Sequence, residues 1–270
     1  MTDADKVFTG GIPAIYEKFL VPMIFAPYAD EVAGRLAKLA PKSVLEIAAG
    51  TGVVTRAMAK ALGPDADIVA TDLNQPMLDA ASSLQPGGGR VSFRQADALE
   101  LPFAESSFDA AVCQFGVMFF PDKIKGYAET HRVLKPGGTY IVAVWDKVAS
   151  NEFISVATEE LARRFPDDPP RFMERSPHGY HNPAQLAADA KAGGFDTVTV
   201  ETVDKIGRTP SALSAATGYC QGNPLRGEIE ARAPGELQAV TEQVAAALAK
   251  RFGEGPIEGR IRAIIVTATR

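Results

Sequence analysis

The stretch Val44-Leu45-Glu46-Ile47-Ala48-Ala49-Gly50-Thr51-Gly52 runs from an apolar strand pattern into a glycine turn, and the helical pattern Val53–Leu62 follows it. Glycines in such a turn let the backbone approach a ligand closely, and the helix behind it offers unpaired N–H groups to polar ligand atoms. A tight strand-to-helix loop with no ligand has the same pattern. A dinucleotide-binding turn wants G-x-G-x-x-G, because its third glycine permits close packing of the helix. Counted from Gly50 and Gly52 the third position is Thr55; counted from Ala48 the three are Ala48, Gly50 and Val53. Neither frame fits, so a pyrophosphate ligand is disfavoured.

Outward from this turn, short apolar runs alternate with helical patterns between residues 43 and 145, the signature of a parallel sheet. Ser43–Ala48 reads as the first strand, Asp67–Thr71 as the second and Val91–Gln95 as the third. Phe108–Cys113 is the fourth and Thr139–Trp145 the fifth. Proline at its first turn opens a helix over Pro76–Ser83. Another helix ends at Leu134, where Lys135-Pro136-Gly137-Gly138 reads as its stop. The strands look apolar on both faces, as a sheet covered by helices on each side requires.

Beyond Trp145 the pattern changes. Asn151–Phe165 looks helical, Pro166–Pro183 reads as a loop with five prolines in eighteen residues, and Gln185–Ala192 is a helix closed by Gly193-Gly194. Thr197–Val203 alternates tightly and reads as a strand whose partner, Arg260–Thr269, arrives only at the end of the chain. Pro210–Phe252 between them is mostly helical, and Gly11–Leu39 carries apolar residues at helical spacing with Phe8, Tyr16, Phe19, Phe25 and Tyr28 on or beside it. The expectation is one domain over 1–270: a helical N-terminal cap (1–40), a cofactor-binding core (43–145), and helical or lid insertions at 146–192 and 207–256.

Composition narrows the function. The net charge of −5 gives no basic face for phosphates, so a nucleic-acid partner is disfavoured. No run approaches the eighteen apolar residues of a membrane span, and MTDADKVFTG lacks the basic and apolar regions of a secretory signal. The expected location is the cytoplasm. Cys113 and Cys220 have neither metal nor redox spacing. HExxH, P-loop and nucleophile-elbow motifs are missing, so neither a metal nor a covalent intermediate is expected.

VLEIAAGTG resembles motif I of the class I S-adenosylmethionine (SAM) dependent methyltransferases, an acid followed by G-x-G-x-G. Glu46 matches the acid, Gly50 and Gly52 two glycines, and Ala48 stands where the first glycine would be. Asp72 ends the second strand, where the resemblance implies a carboxylate for ribose hydroxyls; the alternative is a cap for the helix near Pro76. Asp97, in RQADALELPF, resembles the acid that accepts from the adenine amine, and a turn Asp is the other reading. LPFAESSFDAAVCQFGVMFF resembles the fourth-strand motif, with Gln114 and Phe115 beside the cofactor, and HRVLKPGGTYIVAVW resembles the helix–turn–strand that follows. The phrasing is closest to the methyltransferase type 11, ubiquinone/menaquinone-biosynthesis-like subgroup.

The resemblance implies a Rossmann-like α/β fold, a seven-stranded mostly parallel sheet with an antiparallel last strand. It also implies methyl transfer from SAM to a small-molecule acceptor (EC 2.1.1.-), with SAM held by Glu46, Ala48, Gly50, Gly52, Asp72, Leu73, Met77, Asp97, Ala98, Gln114 and Phe115. An NAD(P)-dependent oxidoreductase and a non-catalytic SAM-binding protein are the alternatives, and a homodimer is open. A sulfonium methyl needs chiefly alignment and dry surroundings, and a base only when the acceptor must lose a proton. Candidates for that role are His178, Tyr180 and His181 in SPHGYHNP, and Tyr16, each with a structural alternative as loop anchor or core aromatic. Phe8–Tyr28 and His178–His181 are expected to form a lid, with core packing the other reading of Tyr16 and Tyr28. His131 and Arg226 read as surface or structural residues.

Overall fold

The computed structural model describes residues 11–85 and 89–270, so Phe8 lies outside the described residues. In chain order the elements begin with α1 (Ile12–Ile15), a π-helical stretch Tyr16–Phe25, α2 (Ala26–Leu39) and β1 (Ser43–Ile47). Next come α3 (Val53–Ala61), β2 (Asp67–Asp72), α4 (Gln75–Leu84), β3 (Val91–Gln95) and β4 (Phe108–Gln114). After these follow α5 (Lys123–Val133), β5 (Leu134–Trp145), α6 (Glu152–Arg164), α7 (Phe172–Arg175) and α8 (Pro183–Ala192). The chain closes with β6 (Thr197–Thr209), α9 (Ala212–Gln221), α10 (Leu225–Arg232), α11 (Leu237–Phe252) and β7 (Ile257–Thr269).

The strands form one seven-stranded sheet in the order β3-β2-β1-β4-β5-β7-β6. The first five are parallel neighbours, and β7 joins β5 antiparallel, from Thr139 opposite Thr269 to Trp145 opposite Ala263. Strand order reverses between β1 and β4, which makes that junction the topological switch point of the sheet.

The chain divides into two compact units. Among the described residues, the sheet unit takes Tyr28–Trp145, Tyr180–Val203 and Ala263–Arg270, and the helical unit takes 11–27, Asp146–Gly179 and Asp204–Arg262. Central strands β1, β4 and β5 are buried nearly throughout, as their apolar runs require. Polar first turns are stitched locally: Asp122 caps α5 by accepting from Lys125 N–H, and Asn182 caps α8 by accepting from Ala184 and Gln185 N–H. No helix among the described residues is long and apolar enough to cross a membrane.

Three expectations are corrected. β3 is not apolar on both faces; it lies at the sheet edge with Ser92, Arg94 and Gln95 exposed. Lys135–Gly138 does not follow the helix as a separate stop. The helix ends at Val133 and β5 starts at Leu134, while the register against β4 jumps from Phe108↔Leu134 to Ala110↔Thr139. The segment is therefore a bulge in a strand, where Pro136 has no ladder N–H to lose and Gly137 takes a left-handed φ of 78°. Arg270 N–H donates to Gly138 O, and Gly137 N–H donates to Arg270 O, which holds the bulge to the chain end. Finally, β6 runs six residues beyond Val203, to Thr209.

Candidate functional site

All eleven residues expected to hold a cofactor lie in the sheet unit. Ten come from the carboxyl ends of β1–β4 or the turns just beyond them, and Met77 sits buried on α4. The turn after β1 is left-handed at every second residue, with φ of 57° at Ala48, 57° at Gly50 and 81° at Gly52. At Gly52 an added Cβ would stand 3.0 Å from Ala81 Cβ, so glycine is needed there for φ and for space. Ala48 bears the same conformation with a methyl group, which costs backbone energy that glycine would not.

Glu46 is 2 % exposed and accepts from Thr55 Oγ1 at 2.5 Å. Thr55 is the residue at the place where a dinucleotide motif has its third glycine, so the failed motif has a positive counterpart: its hydroxyl ties α3 to the acid of β1. Burial lifts the Glu46 carboxyl to about 8; the Thr55 hydrogen bond opposes the rise and the nearby Asp72 carboxylate adds to it.

Asp72, also buried, accepts from Gly50 N–H at 2.8 Å through Oδ2 and from Asn74 N–H at 2.8 Å through Oδ1. It is not the cap of α4, whose N-cap is Asn74. It pins the glycine turn of β1 to the end of β2, and each oxygen keeps further acceptor capacity. Burial raises the carboxyl above its ordinary value, partly offset by the N–H groups of Asn74 and Gly50.

Asp97 is exposed and accepts from Leu99 N–H at 2.8 Å, an Asx turn beyond β3. Gln95 donates to Leu73 O at 2.8 Å, while Leu73 is 48 % exposed. Ala98 is half-buried beside Asp97.

At the end of β4, Gln114 is buried and Phe115 has a φ of 56°, uncommon for a bulky residue. Its ring stacks on Trp145 at the end of β5, 3.7 Å between centroids and 3° between planes, and Tyr28 meets both rings edge-on. Gly116 follows, where a Cβ would fall 2.5 Å from Ala48 Cβ and 2.6 Å from Cys113 Sγ. The turns after β1 and β4 thus meet across the switch point. Tyr28, read as core packing or as a lid aromatic, is fully buried in the sheet unit and donates to Val203 O at 2.9 Å. Neither the stack nor the Ala48–Gly116 approach has a sequence signal beyond the small residues themselves.

Of the catalytic candidates, Tyr16, His178 and Tyr180 each have local partners. Tyr16 and His178 belong to the helical unit, Tyr180 and His181 to the sheet unit. The Tyr16 ring packs on Phe25 at 4.8 Å. His178 is buried, and its Nδ1 stands 2.6 Å from Asp146 O, which the ring N–H meets as donor. Tyr180 donates to Asp189 Oδ2 at 2.6 Å with the Lys123 ammonium 5.0 Å from its ring centroid. Burial raises the Tyr180 phenol, with Tyr127 and Asp189 adding to the rise, the opposite of what a base needs. His181 is half-buried beside the Asn182 cap. His131 packs edge-on against Phe195 at 5.3 Å, and Arg226 pairs with Glu230 at 3.0 Å along its own helix, both structural roles.

Residues 44–138 match a family model described as a methyltransferase domain. The chain is 34% identical over 150 residues to the ubiquinone/menaquinone biosynthesis C-methyltransferase UbiE of Pseudomonas aeruginosa, covering 54% of each protein. It is 34% identical over 166 residues to the demethylmenaquinone methyltransferase of Thermus thermophilus, covering 58% of this chain and 75% of the relative. The fold is shared with Haemonchus contortus phosphoethanolamine N-methyltransferase 2, solved with phosphomonomethylethanolamine and S-adenosylhomocysteine. That likeness has a TM-score of 0.60 at 18% identity and covers 96% of this chain and 57% of that one. The chain belongs to the methyltransferases, within the class I SAM-dependent group of the ubiquinone/menaquinone-biosynthesis type. It spans about half the length of the Pseudomonas relative.

Proposed function

We propose that this protein transfers a methyl group from SAM to a small-molecule acceptor (EC 2.1.1.-), in the cytoplasm and without a nucleic-acid partner. The observation that carries the proposal is the set of acids at the carboxyl ends of β1 and β2 and just beyond β3, Glu46, Asp72 and Asp97, with Asp72 accepting from Gly50 N–H in the left-handed glycine turn after β1. SAM presents an ammonium, a ribose diol and an adenine amine, all donors, so a set of acidic acceptors is chemically matched to it. The methyltransferase relatives and the S-adenosylhomocysteine in the Haemonchus enzyme support the same reading.

In this proposal Asp72 takes the ribose hydroxyls with the acceptor capacity its two backbone N–H bonds leave, and Asp97 takes the adenine amine. Leu73, Ala98 and Met77 supply apolar contact for the base. Glu46 lies toward the methionine end, and Gln114 and Phe115 border the reacting end. When bound, SAM supplies an electrophilic methyl on a sulfonium. The chain's own work is then to orient an acceptor and keep water out, and no general base is assigned among His178, Tyr180, His181 and Tyr16.

Calorimetric titration of the folded protein with SAM and with S-adenosylhomocysteine tests the cofactor. Micromolar-order binding of both is expected, and no heat from either overturns the assignment. Formation of S-adenosylhomocysteine with a panel of small acceptors separates an enzyme from a SAM-binding protein that does no chemistry.

A further inference from the structure

Phe115, directly after β4, takes a left-handed φ of 56° although its side chain is bulky. A residue of that kind leaves the extended and helical regions only where its surroundings hold it. What holds it comes chiefly from β5. Phe115 N–H donates to Ala143 O at 2.7 Å, and its ring lies flat on the indole of Trp145, 3.7 Å between centroids and 3° between planes. Tyr28 closes the group edge-on, 5.4 Å from the Phe115 ring and 5.5 Å from that of Trp145, with its own hydroxyl fixed on Val203 O. All three aromatics are buried, and all belong to the sheet unit.

The turn these rings hold has no slack further on. Gly116 is wedged between Ala48 and Cys113, closely enough that an added Cβ would fall 2.5 Å from Ala48 Cβ. Ala48 begins the glycine turn after β1, whose next left-handed residue, Gly50, donates its N–H to Asp72. A line of contacts therefore runs from Trp145 through Phe115 and Gly116 to Ala48, Gly50 and Asp72. If φ at residue 115 relaxed to an ordinary negative value, Gly116 would be carried off Ala48, and the glycine turn would lose the surface it rests on.

We propose that Trp145 is a positioning residue for the ligand of this site. Its flat indole face keeps Phe115 left-handed, and Phe115 keeps the turns after β1 and β4 in the arrangement that the ligand meets. Trp145 does this without touching the ligand itself. The role rests on the reading of the glycine turn as a site for SAM and its product, which the same experiment tests separately.

Trp145→Phe and Trp145→Leu separate this role from simple packing. Both shrink the side chain and should lower the melting temperature, but phenylalanine keeps a flat ring to lie on Phe115 and leucine keeps apolar bulk without one. Calorimetry with S-adenosylhomocysteine is run well below both melting points. Trp145→Phe should bind within about twofold of the unmodified protein and Trp145→Leu roughly tenfold more weakly, the factor that goes with freeing one strained backbone residue. Hydrogen exchange of the unmodified protein gives a second readout if Trp145→Leu does not fold: S-adenosylhomocysteine should slow exchange at residues 115–117 together with residues 48–52. Equal affinities in all three proteins, equal losses in both variants, or exchange slowed in the turn after β1 alone overturns the role of Trp145 and leaves the cofactor assignment standing. Failure of the unmodified protein to bind S-adenosylhomocysteine overturns both.

Discussion

Asp72 shows how one side chain serves the fold and the proposed ligand together. Its oxygens hold the N–H groups of Gly50 and Asn74, so Asp72→Ala strips a buried acceptor from each. Cofactor affinity should fall by roughly 1–3 kcal/mol, read by calorimetry, and the melting temperature should fall with it. Asp72→Asn should restore part of both, since an amide oxygen still accepts. If Asp72→Ala binds SAM normally, the residue is a turn anchor only.

Glu46 couples the stability of the fold to pH. Its folded value of about 8 lies above the ordinary 4.5, so between the two the folded chain keeps a proton that the unfolded chain has lost. Glu46's contribution to stability is therefore whole below about 4.5 and declines as pH rises toward 8, at up to about 1.4 kcal/mol per pH unit. Thermal melts of the ligand-free protein across this range should therefore fall relative to Glu46→Gln. Parallel curves would show that Glu46 is already ionised.

Between elements, the turns after β1 and β4 meet at Ala48 and Gly116, where the backbone has no spare room. Gly116→Ala should destabilise by about 1–3 kcal/mol through overpacking against Ala48 and Cys113. Ala48→Gly alone should stabilise by about 0.5–1 kcal/mol by removing a left-handed alanine. Combined, the two should be better than additive, because the glycine clears the clash; strict additivity in denaturant melts would show that the turns do not touch in solution. At the start of α8, Asn182→Ala should cost about 1 kcal/mol in the same melts, since Ala184 and Gln185 N–H groups lose their acceptor.

At the scale of the whole molecule, the two cysteines give each unit a reporter. Cys113 lies in the sheet unit and Cys220 in the helical unit, both fully buried, and burial pushes each thiol up to about 12. Neither should react with a thiol reagent under native conditions, and both should label once denaturant opens the unit that holds them. Mass spectrometry of the labelled peptides measures this, and fast native labelling of either would contradict the burial.

Local pattern by itself determined the elements of the sheet unit and most of the candidate rim. A buried parallel strand must be apolar along its length, and a strand-to-helix turn that approaches a ligand must be glycine-rich, so VLEIAAGTG announces both. The acids at 46, 72 and 97 were singled out by the resemblance to the methyltransferase motifs; Asp72 ends β2, Glu46 lies within the last residues of β1, and Asp97 lies just beyond β3. Only the tertiary structure decided what those side chains do to one another. Thr55 reaching Glu46, Asp72 holding Gly50, Ala48 against Gly116 and Phe115 on Trp145 all join residues from different elements. Their contacts depend on strand order and on left-handed turns, which short-range periodicity does not encode. The bulge at Lys135–Gly138 and the placing of His178 and Tyr180 in different units were hidden likewise. A Pro-Gly-Gly run reads the same in a loop as in a bulge until a neighbouring strand supplies the register.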